Sequence, residues 1–170
     1  MKANANVTTR KICTLGEFAV GKTSIVTRAV RNTFSEGYLT TIGVRVDSKT
    51  FEPEPGRTMR MVLWDIAGAG AIDQVRASYL TGSHGLLLVA DGTRNDTLDT
   101  ALALRDQACR LLDRELPTML LLNKCDLAAR WEIPPARMEA LTLQHQVFSS
   151  SAKTGHGIED ALVALGKAVW

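Results

Sequence analysis

The sequence predicts a doubly wound α/β fold: a mostly parallel six-stranded sheet with one antiparallel strand and helices on both faces. Three observations carry this. Short β-type runs alternate with helical stripes along the chain, the pattern of a layered α/β architecture. Two of the runs, GLLLVAD and TMLLLNK, are almost wholly apolar, as strands covered on both faces must be. A glycine-containing stretch, GEFAVGKTS, joins the first strand to the first helix, and in such folds ligands sit at the carboxyl ends of the strands.

Taken in order, KICTL (11–15) reads as the first strand, and Ile25, Val26, Ala29 and Val30 then recur at helical spacing. VRVDSKTF (44–51) and RTMRMVLW (57–64) flank EPEPG, whose prolines and glycine mark the turn of an antiparallel hairpin. GLLLVAD (85–91) and TMLLLNK (118–124) are buried strands. Between them Ala101, Leu104, Ala108, Leu111 and Leu112 form one helical stripe. QVFSS (146–150) is the last strand, and Ile158, Ala161, Leu162, Leu165, Ala168 and Val169 are the apolar face of a closing helix. Residues 1–170 read as a single domain, without internal repeat or linker.

Composition narrows the function classes. A chain of 170 residues with 45% hydrophobic and 22% charged content can bury a true core. A net charge of +2, with both signs interspersed, gives no footprint of a nucleic-acid binder. Cys13, Cys109 and Cys125 are few and odd in number, which suits reduced thiols in the cytoplasm better than a disulfide framework. MKANANVTTRK lacks the apolar segment of an export signal. LGKAVW carries no cysteine box for prenylation, so no lipid anchor is expected.

The chemistry concentrates in four places. Gly16 to Thr23 satisfies G-x-x-x-x-G-K-[ST] between a strand and a helix, the context a P-loop requires. Loop N–H groups and the positive helix end stabilise phosphate oxygens, Lys22 reaches the outer phosphates, and Thr23 can ligate Mg²⁺. The bland alternative is a glycine turn with a solvated lysine. Asp65 ends the strand RMVLW before Ile66, Ala67 and Gly68, where a carboxylate can hold Mg²⁺ through water. Alone it would read as a turn former.

NKCD, Asn123 to Asp126, follows TMLLL directly. A carboxylate there accepts from the N1 and N2 groups of guanine, a donor pair adenine lacks, so the pattern favours GTP over ATP. FSSSAKTG places Ser151, Ala152 and Lys153 at the end of the next strand, where an alanine N–H can face the guanine O6.

GEFAVGKTS, TTIGV, WDIAG, NKCDL and SAK, in this order, resemble the Ras superfamily of small GTPases, most closely its Rab branch, over nearly the whole chain. The compact C-terminus without a prenylation box also resembles prokaryotic Ras-like members. The resemblance implies a small G domain of P-loop NTPase type that binds GTP or GDP with Mg²⁺ and hydrolyses GTP. It implies nucleotide contacts from Gly16, Glu17, Phe18, Ala19, Val20, Gly21, Lys22, Thr23 and Ser24, and from Phe34 against the base and Tyr38 over the phosphates. Asn123, Lys124, Asp126 and Leu127 would follow, with Ser151, Ala152 and Lys153. Mg²⁺ would be held by Thr23, Thr41 and Asp65, and hydrolysis would depend on Lys22, Thr41 and Gly68. The register of TTIG favours Thr41 over Thr40 as the switch I threonine, and Gly68 opens switch II. Effectors, GTPase-activating proteins and exchange factors would meet switch I, switch II and the strands between them. Trp64 and Tyr79 match aromatic effector positions, although packing explains them equally well.

Two positions depart from the family pattern. Phe18-Ala19 replaces a small pair, and Ala69 replaces the water-positioning glutamine. Both touch hydrolysis rather than binding, so slow intrinsic turnover is expected. A GTP-binding scaffold without turnover is the alternative, and a P-loop kinase or ATPase is disfavoured by NKCD and SAK. Phe18 could instead pack beside Ile72, and Asp73 or Gln74 could replace the glutamine.

Overall fold

The computed structural model describes residues 7–37, 40–68 and 72–170. Six strands, β1 (Thr8–Leu15), β2 (Val44–Glu54), β3 (Arg57–Ile66), β4 (Gly85–Asp91), β5 (Thr118–Asn123) and β6 (Gln146–Ser149), form one sheet in the order β2-β3-β1-β4-β5-β6. β2 runs antiparallel to β3, and every other pairing is parallel. Among the described residues five α-helices flank it: α1 (Lys22–Arg31), α2 (Gln74–Leu80), α3 (Asp96–Leu112), α4 (Pro135–Gln144) and α5 (Ile158–Ala168).

Strand alternation divides the interior in two. Leu87 and Val89 of β4, with Leu121 of β5, meet Ile25 and Val26 of α1 and Leu162 and Leu165 of α5. Leu86, Leu88 and Ala90 of β4, with Leu120 and Leu122 of β5, meet Leu98, Ala101 and Leu104 of α3, Leu80 of α2 and Leu141 of α4. Every residue of β4 is buried, which is why its sequence lacks polar alternation.

The sequence reading needs amendment at four points. The hairpin strands run past their predicted ends, leaving only Pro55 and Gly56 as the turn. Leu111 is 52% exposed: at 100° per residue it falls at the edge of the α3 stripe, and Cys109 occupies the buried position instead. Ala168 is likewise exposed on the last turn of α5, while Gly166 and Val169 are buried. Helices α2 and α4 lack a strong apolar stripe, with one buried residue each, Leu80 and Leu141. Among the described residues no helix is long and apolar enough to cross a membrane.

Because five strands run parallel, the carboxyl ends of β1, β3, β4, β5 and β6 meet at one edge of the sheet. The residues beyond those ends are the ones that the motifs single out.

Candidate functional site

A cavity of about 640 Å³ opens at this edge, within the size range of small-ligand sites. Its walls bring together Phe18, Ala19, Gly21, Lys22, Thr23 and Ser24 of the first loop, Phe34 and Thr41 of the segment after α1, and Gly68 after β3. Asn123, Lys124, Asp126, Leu127, Ala152 and Lys153 complete it from the loops after β5 and β6. Gly16, Glu17, Val20, Asp65 and Ser151 support this wall rather than line it. Tyr38 and Ala69 lie outside the described residues.

The loop from Gly16 to Gly21 turns sharply into α1. Gly21 has φ 101°, and a Cβ there would meet Asn123 Nδ2 at 2.3 Å, so this loop and the NKCD loop interlock. Asn123 Nδ2 donates to Val20 O at 2.9 Å, and Asn123 Oδ1 accepts from Ala152 N at 3.1 Å. One buried side chain thus ties all three loops together. Ala19 has φ 62°, a left-handed conformation that costs a residue with a Cβ about 1–2 kcal/mol. No acidic residue occupies the first turn of α1, which leaves its positive end available to an anion.

Lys22 is 6% exposed, and its Nζ donates to Glu17 O at 2.7 Å. Burial pushes its pKa down to about 8, against the attraction of Asp65 and Glu17 and with some repulsion from Arg76. A Cβ on Gly68 would stand 2.3 Å from Lys22 Nζ and 2.7 Å from Glu17 O. The backbone at Gly68 therefore approaches the lysine as closely as glycine alone permits.

Thr23, Thr41 and Asp65 converge. Thr23 Oγ1 donates to Asp65 Oδ2, and Thr41 Oγ1 lies 3.2 Å from the same oxygen and within hydrogen-bond reach of Thr23 Oγ1, so its one proton serves either contact. Asp65 is fully buried, and its Oδ1 has no hydrogen-bond partner. Burial raises its pKa, opposed by the bonds from Thr23 and Thr41 and by the charge of Lys22. An orphaned carboxylate oxygen beside two hydroxyls is an all-oxygen donor set that fits a hard divalent cation such as Mg²⁺. Thr40 is exposed and outside the cavity wall, whereas Thr41 lines it.

In the loops after β5 and β6, Ser151 Oγ donates to Asp126 Oδ1 at 2.6 Å and fixes that carboxylate. Lys124 adopts φ 70° and spans the Ala19 carbonyl at 3.2 Å and Asp91 Oδ2 at 2.7 Å.

Phe18 is 51% exposed and lines the cavity. Ile72, the packing partner considered for it, is part-buried against the core formed with α2 and α3, with its N–H on Gln107 Oε1 at 3.0 Å. Asp73 caps α2 by accepting from Arg76 N at 2.9 Å, Gln74 is exposed, and neither lines the cavity. Trp64 and Tyr79 pack together on that core with ring centroids 6.3 Å apart, and Lys11 Nζ sits 3.7 Å over the Trp64 ring. Ser35, Glu36, Gly37 and Arg130 also line the cavity without any motif to announce them. Asp91, the last residue of β4, adds a further charged group at this edge.

The sequence model of the Ras family matches residues 11–170. Ras-related protein Rab-32C of Dictyostelium discoideum is 37% identical over 163 residues, covering 94% of this chain and 72% of that protein. GTP-binding protein ypt1 of Schizosaccharomyces pombe is 29% identical over 161 residues, covering 94% and 79%. Ras-related protein Rab-13 of Rattus norvegicus is 28% identical over 163 residues, covering 92% and 78%. With the fold, the cavity and these matches together, the chain belongs to the Ras family and is a Rab-like GTP-binding molecular switch with GTPase activity.

Proposed function

We propose that this chain is a Mg²⁺-dependent guanine-nucleotide switch that leaves its GTP state slowly unless a partner assists. The observation that carries the slow step is Phe18, half exposed on the wall of the cavity that also holds Lys22, Thr41 and Gly68. The attacking water, a water-orienting group and any arginine from a partner must all reach that end of the cavity. A phenyl ring there takes up their space, and Ala69 has no polar atom with which to orient water.

In this reading Lys22 and the N–H groups of residues 17–23 hold the phosphates, and Asp126, steadied by Ser151, accepts from the guanine N1 and N2 groups. Ala152 and Asn123 frame the base, and Phe34 lies beside it. Thr23, Thr41 and Asp65 would hold Mg²⁺, which supplies charge neutralisation at the phosphate oxygens. Thr41 and Gly68 tie the two switch segments to the γ-phosphate, and its loss releases them.

Ras family proteins act through effectors, activating proteins and exchange factors. On this chain the surface for them is switch I, switch II and the β2-β3 strands between them. Ile42 is 93% exposed there, with Val46 and Val75 also open to solvent. Such apolar exposure suits a protein partner. Cytoplasmic residence belongs to the same reading.

Two measurements test it. Nucleotide extracted from freshly purified protein should be guanine nucleotide with a clear GTP fraction; adenine nucleotide would refute the base assignment. Chelating Mg²⁺ should accelerate GDP release by about tenfold or more, the worth of one charge-assisted contact, and Asp65→Asn should remove that response. Release that ignores chelation in the wild type would refute the metal site.

A further inference from the structure

Two successive carbonyls of the first loop are held by cations. Phe18 O accepts from Arg94 Nη2 at 2.9 Å, and Ala19 O accepts from Lys124 Nζ at 3.2 Å. The peptide is planar, so a carbonyl fixed in one direction sends the following N–H the opposite way. These two bonds therefore orient the N–H groups of Ala19 and Val20. Lys124 belongs to the NKCD motif, but Arg94 belongs to none and stands in the turn between β4 and α3.

Asp91 joins the two cations. It is 1% exposed, and its Oδ2 lies 3.3 Å from Arg94 Nε and 2.7 Å from Lys124 Nζ. Its Oδ1 accepts from Thr93 N at 2.9 Å and Thr93 Oγ1 at 2.7 Å, so both carboxylate oxygens are committed. The guanidinium of Arg94 is thus held by one nitrogen while another grips the loop, which the rigid fork of arginine permits and a lysine ammonium does not. The loop also needs this hold, because Ala19 takes a left-handed backbone despite its Cβ. A second strut, Thr100 Oγ1 to Glu17 Oε2 at 3.0 Å, ties the loop to α3.

We propose that Arg94, carried by Asp91, is a positioning residue for nucleotide binding: it holds the Phe18-Ala19 peptide in its phosphate-binding orientation against the tendency of Ala19 to relax. This rests on residues 16–24 being the phosphate loop. The clamp sets the lifetime of the bound nucleotide without touching it. Its effect depends on Ala19, since a glycine at that position adopts the same backbone without strain.

The test is release of a fluorescent GDP analogue in excess Mg²⁺ from four proteins: wild type, Arg94→Ala, Ala19→Gly and the double variant. Loss of one hydrogen bond from a charged donor should speed release from Arg94→Ala by about tenfold. In the Ala19→Gly background the same change should speed release by no more than about threefold, because coupled residues depart from additivity. Arg94→Lys should fall between wild type and Arg94→Ala, and it stands in for Arg94→Ala if that variant does not fold. Release within about twofold of wild type, or equal acceleration in both backgrounds, overturns the clamp. Lys22→Ala separates the underlying assignment: if it binds the analogue as tightly as wild type, the phosphate loop itself is wrong and the clamp falls with it. Weak binding by Lys22→Ala together with unchanged release from Arg94→Ala overturns the clamp alone.

Discussion

Lys22→Ala is expected to lower affinity for both GTP and GDP by about a thousandfold, the cost of removing one partner of a buried charged pair. The physical reason lies in how the fold treats this side chain. Burial has already stripped its ammonium of water and brought its pKa to about 8, with Glu17 O as its hydrogen-bond acceptor. A buried cation partnered by a neutral carbonyl is under-compensated, and a polyphosphate supplies the missing charge. The sign for stability follows. A lysine whose folded pKa is depressed disfavours folding while it is charged, and this loss is fully present below pH 8. The unliganded Lys22→Ala protein should therefore melt no lower than unliganded wild type at neutral pH, even as binding collapses. Calorimetric titration with Mg²⁺ and GDP checks the first point and thermal denaturation the second. Affinity retained within about tenfold would show that Lys22 does not meet phosphate.

Asp126→Asn is expected to weaken GTP binding by about a hundredfold or more, since two hydrogen bonds to a carboxylate are lost at about 1.5–3 kcal/mol each. Ser151 Oγ donates to Asp126 Oδ1 at 2.6 Å, so the carboxylate is aimed before any base arrives and little ordering cost offsets the loss. An asparagine in the same place offers a donor where guanine also offers donors. Xanthine, with a carbonyl in place of the 2-amino group, accepts that donor instead, so relative affinity for xanthosine triphosphate should rise. Competition between the two nucleotides for wild type and variant measures this directly. ATP bound by wild type as tightly as GTP would end the guanine assignment.

Of the two departures read from sequence, only the Phe18-Ala19 pair falls within the described residues. Phe18 was placed in the first loop by the motif, but its direction was not encoded locally: the loop's path depends on Arg94, 76 positions from Phe18, and on Lys124, 105 positions from Ala19. A short-range reading cannot reach such contacts. Arg94 and Asp91 were passed over for the same reason, because an Asp at a strand end and an Arg in a turn are ordinary there. Thr41 was legible because TTIG fixed its register, and the convergence of Thr23, Thr41 and Asp65 bears on that choice.

At the level of the fold, the buried strands were the clearest part. GLLLVAD coincides with β4 to the residue, since a strand covered on both faces reads as a continuous apolar run, here closed by Asp91 at its end. The hairpin ends were less clear because β2 and β3 stay paired past Pro53, to Glu54 and Arg57, where the two prolines suggested a wider turn. Helix α2 is only seven residues and buries Leu80, too little for a 3.6-residue period to emerge. Helix α4 begins at Pro135, a helix-start signal in a stretch whose apolar residues define no clear face.

Single-turnover hydrolysis of Mg²⁺-bound GTP, without any partner, tests the slow switch most directly. The proteins to compare are wild type, Ala69→Gln, and Phe18→Gly with Ala69→Gln. The double variant restores a water-orienting side chain and clears the cavity wall at position 18. It should hydrolyse GTP about a hundredfold faster than wild type, the lower range for one positioned group in a transition state. Ala69→Gln alone should gain less while Phe18 still fills the space. A wild type that already turns over as fast as the double variant would contradict this, and would show that Phe18 does not obstruct and that another group positions the water.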